Sequence, residues 1–301
     1  MSNNNRDINP FKKWYLILRA YSFPTSIFPF LLGVILACKS RKPVAWELLV
    51  PAFLVAECFH AGTNLLNDYY DYIRGVDKHG KKHSSWALTE GWLSEGAAYR
   101  VSIGLYLAGF IFGIPIIMAR GPWIAIVGIA GALGGFFYTA PPLSYKYRGW
   151  GEISCFAFLG PVLTLASVYS LTGSIPASVW IYSPPFGLLV AAMLYGNNLR
   201  DRETDVAKGM KTIAGRLSYR TARWGYILIG GAAFAWAPGL ILAGKLSLLS
   251  LVTFATLPIF FENCRVALIR DEKGLRHIDM DTAKMYLIFG PLYFLALIYS
   301  G

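Results

Sequence analysis

Asn64-Leu65-Leu66-Asn67-Asp68-Tyr69-Tyr70-Asp71-Tyr72-Ile73-Arg74-Gly75-Val76-Asp77 closes a long apolar segment that begins near Leu48. Three carboxylates and two amides stand where a membrane helix runs out into water. A second stretch, Asn197-Asn198-Leu199-Arg200-Asp201-Arg202-Glu203-Thr204-Asp205-Val206-Ala207-Lys208-Gly209, closes another apolar segment. The chain has nine aspartates, and five of them fall in these two stretches. The expectation is a fold whose other parts hold the two acidic clusters face to face.

The rest of the composition says what kind of fold that is. Of 301 residues, 55% are hydrophobic and only 15% charged, with a mean hydropathy of +0.46. A soluble domain carries about 25% charged residues. Apolar runs of bilayer-spanning length recur along the whole chain. About nine spans are expected, near 14–38, 46–66, 97–119, 121–138, 151–171, 178–199, 222–243, 246–264 and 283–300. The predicted class is therefore all-α: a polytopic membrane helical bundle of about nine transmembrane helices, forming a single domain over 1–301. The ten-residue alternating segments of a transmembrane barrel are absent. The first apolar run lacks a small-residue cleavage site and reads as a retained helix.

A net charge of +11 does not indicate nucleic acid here, because basic residues of a membrane protein collect in cytoplasmic loops. With the N-terminus inside, 23 of the 28 Lys and Arg fall on the cytoplasmic side, and Lys39, Arg41, Lys42, Arg120 and Lys245 fall outside. Both acidic stretches and the loop 139–150 then reach the cytoplasmic face. Cys38, Cys58, Cys155 and Cys264 lie in apolar segments without CxxC spacing, so neither a disulfide framework nor a zinc site is expected. Gly131 and Gly135 form a small-xxx-small pair suited to close helix packing.

Residues four apart share a helix face. Asp201 and Asp205 project together, with Asn197 one turn deeper. Asn67 and Asp71 do the same, flanked by Asp68. Asp77 is six residues beyond Asp71 and joins that face only if the helix ends first, for which Gly75 supplies a stop. Two carboxylates about 4 Å apart repel by roughly 1 to 4 kcal/mol, so several converging need a cation. Hard oxygen ligands completed by water and phosphate oxygens suit Mg²⁺. Arg74, Lys146, Arg148 and Lys211 are the complement for the phosphates. Solvated helix-end charge is the bland alternative, but charge at membrane depth is rare and usually functional.

These stretches resemble the UbiA superfamily of intramembrane aromatic prenyltransferases. Asn67-Asp68-Tyr69-Tyr70-Asp71, with Asp77, is similar to its first motif, and Asn197, Asp201 and Asp205 to its second, NxxxDxxxD. The branch making demethylmenaquinone from 1,4-dihydroxy-2-naphthoate is the one most resembled. The matches there are His60 through Asp68, Tyr138 through Glu152, and Asn197 through Asp201 with Gly209-Met210-Lys211-Thr212. Two positions depart: Gly75 stands where many members place the third Asp of the first motif, and Met210 replaces a lysine.

The resemblance implies that Asp68, Asp71, Asp201 and Asp205 are catalytic through Mg²⁺, with Asp77 as a further ligand. It implies Asn67, Arg74, Asn197, Asn198, Tyr138, Lys146, Arg148 and Lys211 as substrate-binding residues, and a polyprenyl diphosphate, an aromatic acceptor and membrane lipid as partners. Acceptors other than the naphthoate (4-hydroxybenzoate, homogentisate, chlorophyllide) are the alternatives within this chemistry. An ion-coupled transporter is the alternative outside it, though transporters bind near the midplane.

Tyr138 also suits a membrane-interface tyrosine, and Lys146 and Arg148 ordinary inside-loop charge. Arg19 either faces the cavity or snorkels. Glu57 and His60 form one ExxH pair without the second pair a di-iron bundle needs, so His60 is expected in the cavity or the packing. The segment 78–96 is long enough to act as a lid.

Overall fold

A computed structural model of the chain describes residues 9–76, 86–270 and 272–300, and every regular element among them is helical. Asp77, and with it residues 78–85 of the proposed lid, lie outside the described residues. The main helices are α1 (Pro10–Ile17), α2 (Pro24–Lys39), α3 (Leu49–Ile73), α4 (Glu95–Arg120), α5 (Pro122–Thr139), α6 (Gly151–Thr172), α7 (Pro184–Arg200), α8 (Tyr219–Leu242), α9 (Leu257–Ile269) and α10 (Ile278–Tyr299).

Among the described residues, seven helical segments are long and apolar enough to cross a bilayer: those containing α3, α4, α5, α6, α8, α9 and α10. The two other expected spans correspond to shorter helices, α2 with 16 residues and α7 with 17. The expected span 14–38 is not one helix. Arg19 takes a left-handed φ of 52° and Pro24 opens α2, and proline lacks the N–H that would continue a preceding helix. The span 178–199 likewise divides, into a short helix Ser178–Tyr182 and α7, with Pro184 at the first position of α7.

Helix ends follow local chemistry. Ser94 caps α4 by accepting the Ala97 N–H at 3.2 Å, with Glu95 in the first turn. A single residue, Gly121 at φ 78°, ends α4 and starts α5, where Pro122 takes the first helical position.

The chain forms two compact units, residues 1–26 with 50–144, and residues 27–49 with 145–301. In the first, Ile17, Leu65, Leu88 and Ala98 bring α1, α3, α4 and the turn Trp86–Thr89 onto one apolar cluster. Of the paired glycines of α5, only Gly135 is a close approach. A Cβ there would fall 2.8 Å from the Tyr106 hydroxyl and closer still to Thr63, whereas Gly131 faces open space. Only 22% of the apolar core of α4, and of α5, is buried within protein. Leu107, Ile111, Met118, Ile126 and Leu133 are exposed there and suit lipid.

In the second unit α7 is the axis, packed by α6, α8 and α10. Twelve of its 17 residues are buried. Gly160 and Gly187 let α6 and α7 approach, since a Cβ on Gly160 would lie 2.8 Å from the Gly187 Cα. α6 widens into a π-turn over Phe158–Val162, where Pro161 removes a ladder hydrogen bond.

Candidate active site

The first acidic stretch is the cytoplasm-directed end of α3 in the sequence reading, and its backbone ends as that reading expects. α3 stops at Ile73 and Gly75 turns left-handed at φ 66°. The Gly75 N–H bonds to the Tyr72 carbonyl at 2.9 Å and the Val76 N–H to the Asp71 carbonyl at 2.8 Å, the paired bonds of a Schellman cap. Asn67, Asp68 and Asp71 are all buried just before it.

Arg19 forms an ion pair with Asp68. It therefore faces the acidic cluster. A polar stripe runs along the same face of α3 through Glu57, His60, Asn64, Asp68 and Asp71. Ser26 Oγ lies 2.7 Å from both Glu57 Oε1 and His60 Nδ1. Asn64 donates to Ser22 Oγ at 3.0 Å, and Ser22 donates to the Arg19 carbonyl at 2.8 Å. These bonds tie the Arg19 turn to α3. His60 is a member of this polar network, with Phe23 against its ring. Arg74 donates to Ser144 Oγ at 2.8 Å, and Ser144 donates to the Thr139 carbonyl at 3.0 Å. Tyr138, one residue earlier, is half-buried.

The second stretch is built differently. α7 ends at Arg200, Asp201 caps it, and a short helix Arg202–Ala207 follows. The i to i−4 bonds nevertheless persist across the break: Asp201 N–H to the Asn197 carbonyl at 3.0 Å, Asp205 N–H to the Asp201 carbonyl at 2.9 Å. The one-turn spacing of Asn197, Asp201 and Asp205 therefore survives without a continuous helix. Gly209, at φ 74°, ends the short helix. Its N–H bonds to the Val206 carbonyl at 3.0 Å and the Met210 N–H to the Asp205 carbonyl at 2.9 Å. Asp205 is buried.

Three of the expected basic residues share one locality. The Lys211 N–H bonds to the Tyr147 carbonyl at 3.0 Å, which seats the turn after Gly209 on the loop carrying Lys146 and Arg148. Arg216, not singled out by the sequence, joins the two segments by donating to the Lys211 carbonyl at 3.1 Å and the Arg148 carbonyl at 2.7 Å. In the same loop, burial pushes the Tyr145 phenol up to about 12.

Asn198 is buried. It donates to Glu152 on α6 at 2.9 Å, an interior partner that the sequence did not suggest. Arg200 and Asp279 were also not singled out. Arg200 holds Asn197, Asp201 and Asp279 together. The adjacency of Arg200 and Asp201 was visible in the sequence; the pairing with Asp279 is long-range and was not.

The profile of the UbiA prenyltransferase family matches residues 26–288. The chain belongs to the UbiA prenyltransferase family. It is an enzyme, a prenyltransferase, and with seven bilayer-length apolar helices an integral membrane protein. Membership decides for the enzyme over the ion-coupled transporter.

The 1,4-dihydroxy-2-naphthoate octaprenyltransferase of Bacillus subtilis (strain 168) is 29% identical over 81% of this chain and 78% of its own length. The UbiA prenyltransferase domain-containing protein 1 homolog of Drosophila melanogaster is 30% identical over 95% of this chain and 79% of its own. A solved structure of a UbiA homolog from Archaeoglobus fulgidus, bound to GPP and Mg²⁺, covers 95% of this chain and 99% of its own at a TM-score of 0.60 and 14% identity, a likeness of fold.

In this prenyltransferase, no group of three His, Cys, Asp or Glu among the described residues is placed to hold a metal ion. The acids come as pairs of hard oxygen donors, Asp68 with Asp71 and Asp201 with Asp205. Mg²⁺ takes one or two protein carboxylates and fills its shell with water and phosphate oxygens, so such pairs fit it.

Proposed function

We propose that the enzyme transfers a polyprenyl group from a polyprenyl diphosphate to 1,4-dihydroxy-2-naphthoate. The observation that carries this reading is the repeated arrangement of a buried aspartate, Asp71 or Asp205, immediately before a capped glycine turn, each following another acid. The Bacillus relative's acceptor supports the naphthoate. In this reading Asp68, Asp71, Asp201 and Asp205 hold Mg²⁺, and Asp77 joins them. The ion, when bound, neutralises the charge that develops on the departing diphosphate.

The chain's own residues do the remaining work. Lys146, Arg148, Lys211 and Arg74 bind phosphate oxygens, Asn67 and Asn197 orient them, and Tyr138 stands beside the substrates. Asn198, held by Glu152, is a further substrate-binding amide. The surrounding apolar helices keep water from the allylic carbon, so that an electron-rich ring carbon of the acceptor captures it. The acceptor's carboxyl group is lost in the same transfer. The two units act as one catalytic domain, and the distribution of basic residues puts its site on the cytoplasmic side.

The test is product mass after incubating purified enzyme and Mg²⁺ with dihydroxynaphthoate and a set of polyprenyl diphosphates. A prenylated, decarboxylated naphthoquinol is expected. Product only with 4-hydroxybenzoate, homogentisate or chlorophyllide would replace the acceptor and leave the transfer chemistry standing. No product with any acceptor would overturn both.

A further inference from the structure

Arg200 is a single guanidinium shared between two carboxylates. Its Nε and Nη2 donate to the two oxygens of Asp201 at 3.1 and 2.9 Å. Nη2 also meets the Asn197 side-chain carbonyl. The remaining edge, Nη1, donates to Asp279 Oδ2 at 2.6 Å. The Arg200 side chain is only 10% exposed and Asp279 only 22%. Asp279 lies in the first turn of α10, where the helix dipole favours an anion. Its second oxygen is buried and has no hydrogen-bond partner among the described residues.

Asp201 therefore carries a forked cation on the very oxygens that the proposed function assigns to Mg²⁺. A guanidinium bound to one carboxylate alone would oppose a divalent ion through its full positive charge. With Asp279 on its other edge, that charge is cancelled and the group as a whole carries one net negative charge. We propose that Asp279 is a positioning residue for the cation at Asp201. It holds Arg200 by the far edge and neutralises it, so that Arg200 orients Asp201 without excluding the divalent ion. This inference rests on the reading of Asp201 as a cation ligand.

The experiment measures Mn²⁺ binding to the purified full-length protein, by the loss of the free-ion paramagnetic resonance signal, without prenyl substrate. The Mg²⁺ dependence of turnover is read alongside it. For Asp279→Asn the apparent Kd for Mn²⁺ is expected to rise about tenfold, since Asp279 no longer offsets the guanidinium charge held on Asp201. The Mg²⁺ needed for half-maximal rate should rise in parallel, with kcat at saturating Mg²⁺ largely kept. Asp279→Glu should restore the affinity. Asp281→Asn, which removes the neighbour paired with Lys284, should change nothing.

The double variant Arg200→Gln/Asp279→Asn removes both charges and should bind Mn²⁺ at least as tightly as the natural protein. It serves as the test if Asp279→Asn alone does not fold, because removing a buried pair together spares the uncompensated charge. A lower kcat with unchanged Mn²⁺ affinity in Asp279→Asn would reduce Asp279 to a structural contact and overturn the inference. Tenfold weaker Mn²⁺ binding in the double variant would overturn it as well. Unchanged Mn²⁺ binding in Asp201→Asn would instead remove Asp201 from the cation site, and with it the reading on which the inference stands.

Discussion

Asp71 and Asp205 occupy the same place in two helix ends that are otherwise unlike. Each gives its backbone carbonyl to the second residue of a glycine turn, and each has a buried side chain. The carboxylates before them part company. Asp68 is buried near the end of an unbroken helix and meets Arg19, which comes from a separate left-handed turn. Asp201 is 35% exposed, sits at a helix break and is held by the neighbouring Arg200. The backbone device that places the last acid is local and repeats. The cation that steadies the acid before it is supplied from long range in one case and from the next residue in the other.

The largest effects should fall where the two ends agree. Asp71→Ala and Asp205→Ala are each expected to lower the rate of prenyl transfer by about a thousandfold, while the proteins still insert and keep their helical circular dichroism. A large loss in one and near-normal turnover in the other would break the equivalence. The next effect separates the ends. Arg19→Ala leaves the 2%-exposed side chain of Asp68 without this partner, and removing one member of a buried pair costs about 3 kcal/mol or more. Arg200→Ala acts on two more exposed aspartates, Asp201 at 35% and Asp279 at 22%. Thermal unfolding in one detergent should show the larger loss for Arg19→Ala, and the reverse order would show that burial does not govern these pairs.

Smaller effects belong to the arginines that tie loops together. Arg216 reaches two backbone carbonyls, those of Arg148 and Lys211, whereas Arg74 reaches the Ser144 hydroxyl and lies over the Tyr70 ring. Arg216→Ala should raise KM for the polyprenyl diphosphate about fivefold with kcat nearly unchanged, as expected when a binding surface is loosened and the reacting groups are not. A fall in kcat with KM unchanged would mean that Arg216 acts on the chemistry.

How much of this the sequence carried follows from the range of each interaction. The acids, their one-turn spacing and the stop at Gly75 are local, and all three are legible in the order of residues. The breaks at Arg19 and Pro24 lay inside an apolar run, where hydropathy alone reads through them. The partners of Arg200 and Asn198 were hidden for another reason. Asp279 stands 79 residues from Arg200 along the chain and Glu152 stands 46 from Asn198, and nothing in periodicity joins positions that far apart. Asp77 was legible as a residue but lies outside the described residues, so its role stays with the proposal.

The finest test of the comparison uses the two glycines themselves. Gly75 and Gly209 both adopt positive φ, at 66° and 74°, and a Cβ on either would meet nothing within 4 Å. Packing therefore contributes nothing to a substitution, and only the backbone conformation does. A left-handed residue with a Cβ costs about 1 to 2 kcal/mol relative to glycine. Gly75→Ala and Gly209→Ala should then each lower stability by about 1 kcal/mol, by nearly equal amounts, while asparagine, which tolerates this conformation, should cost less at both. Equal losses measured by thermal unfolding would make the two caps one device used twice. If Gly75→Ala proved several times more costly than Gly209→Ala, the continuous helix ahead of Gly75 would be drawing on its cap in a way that the broken helix ahead of Gly209 does not.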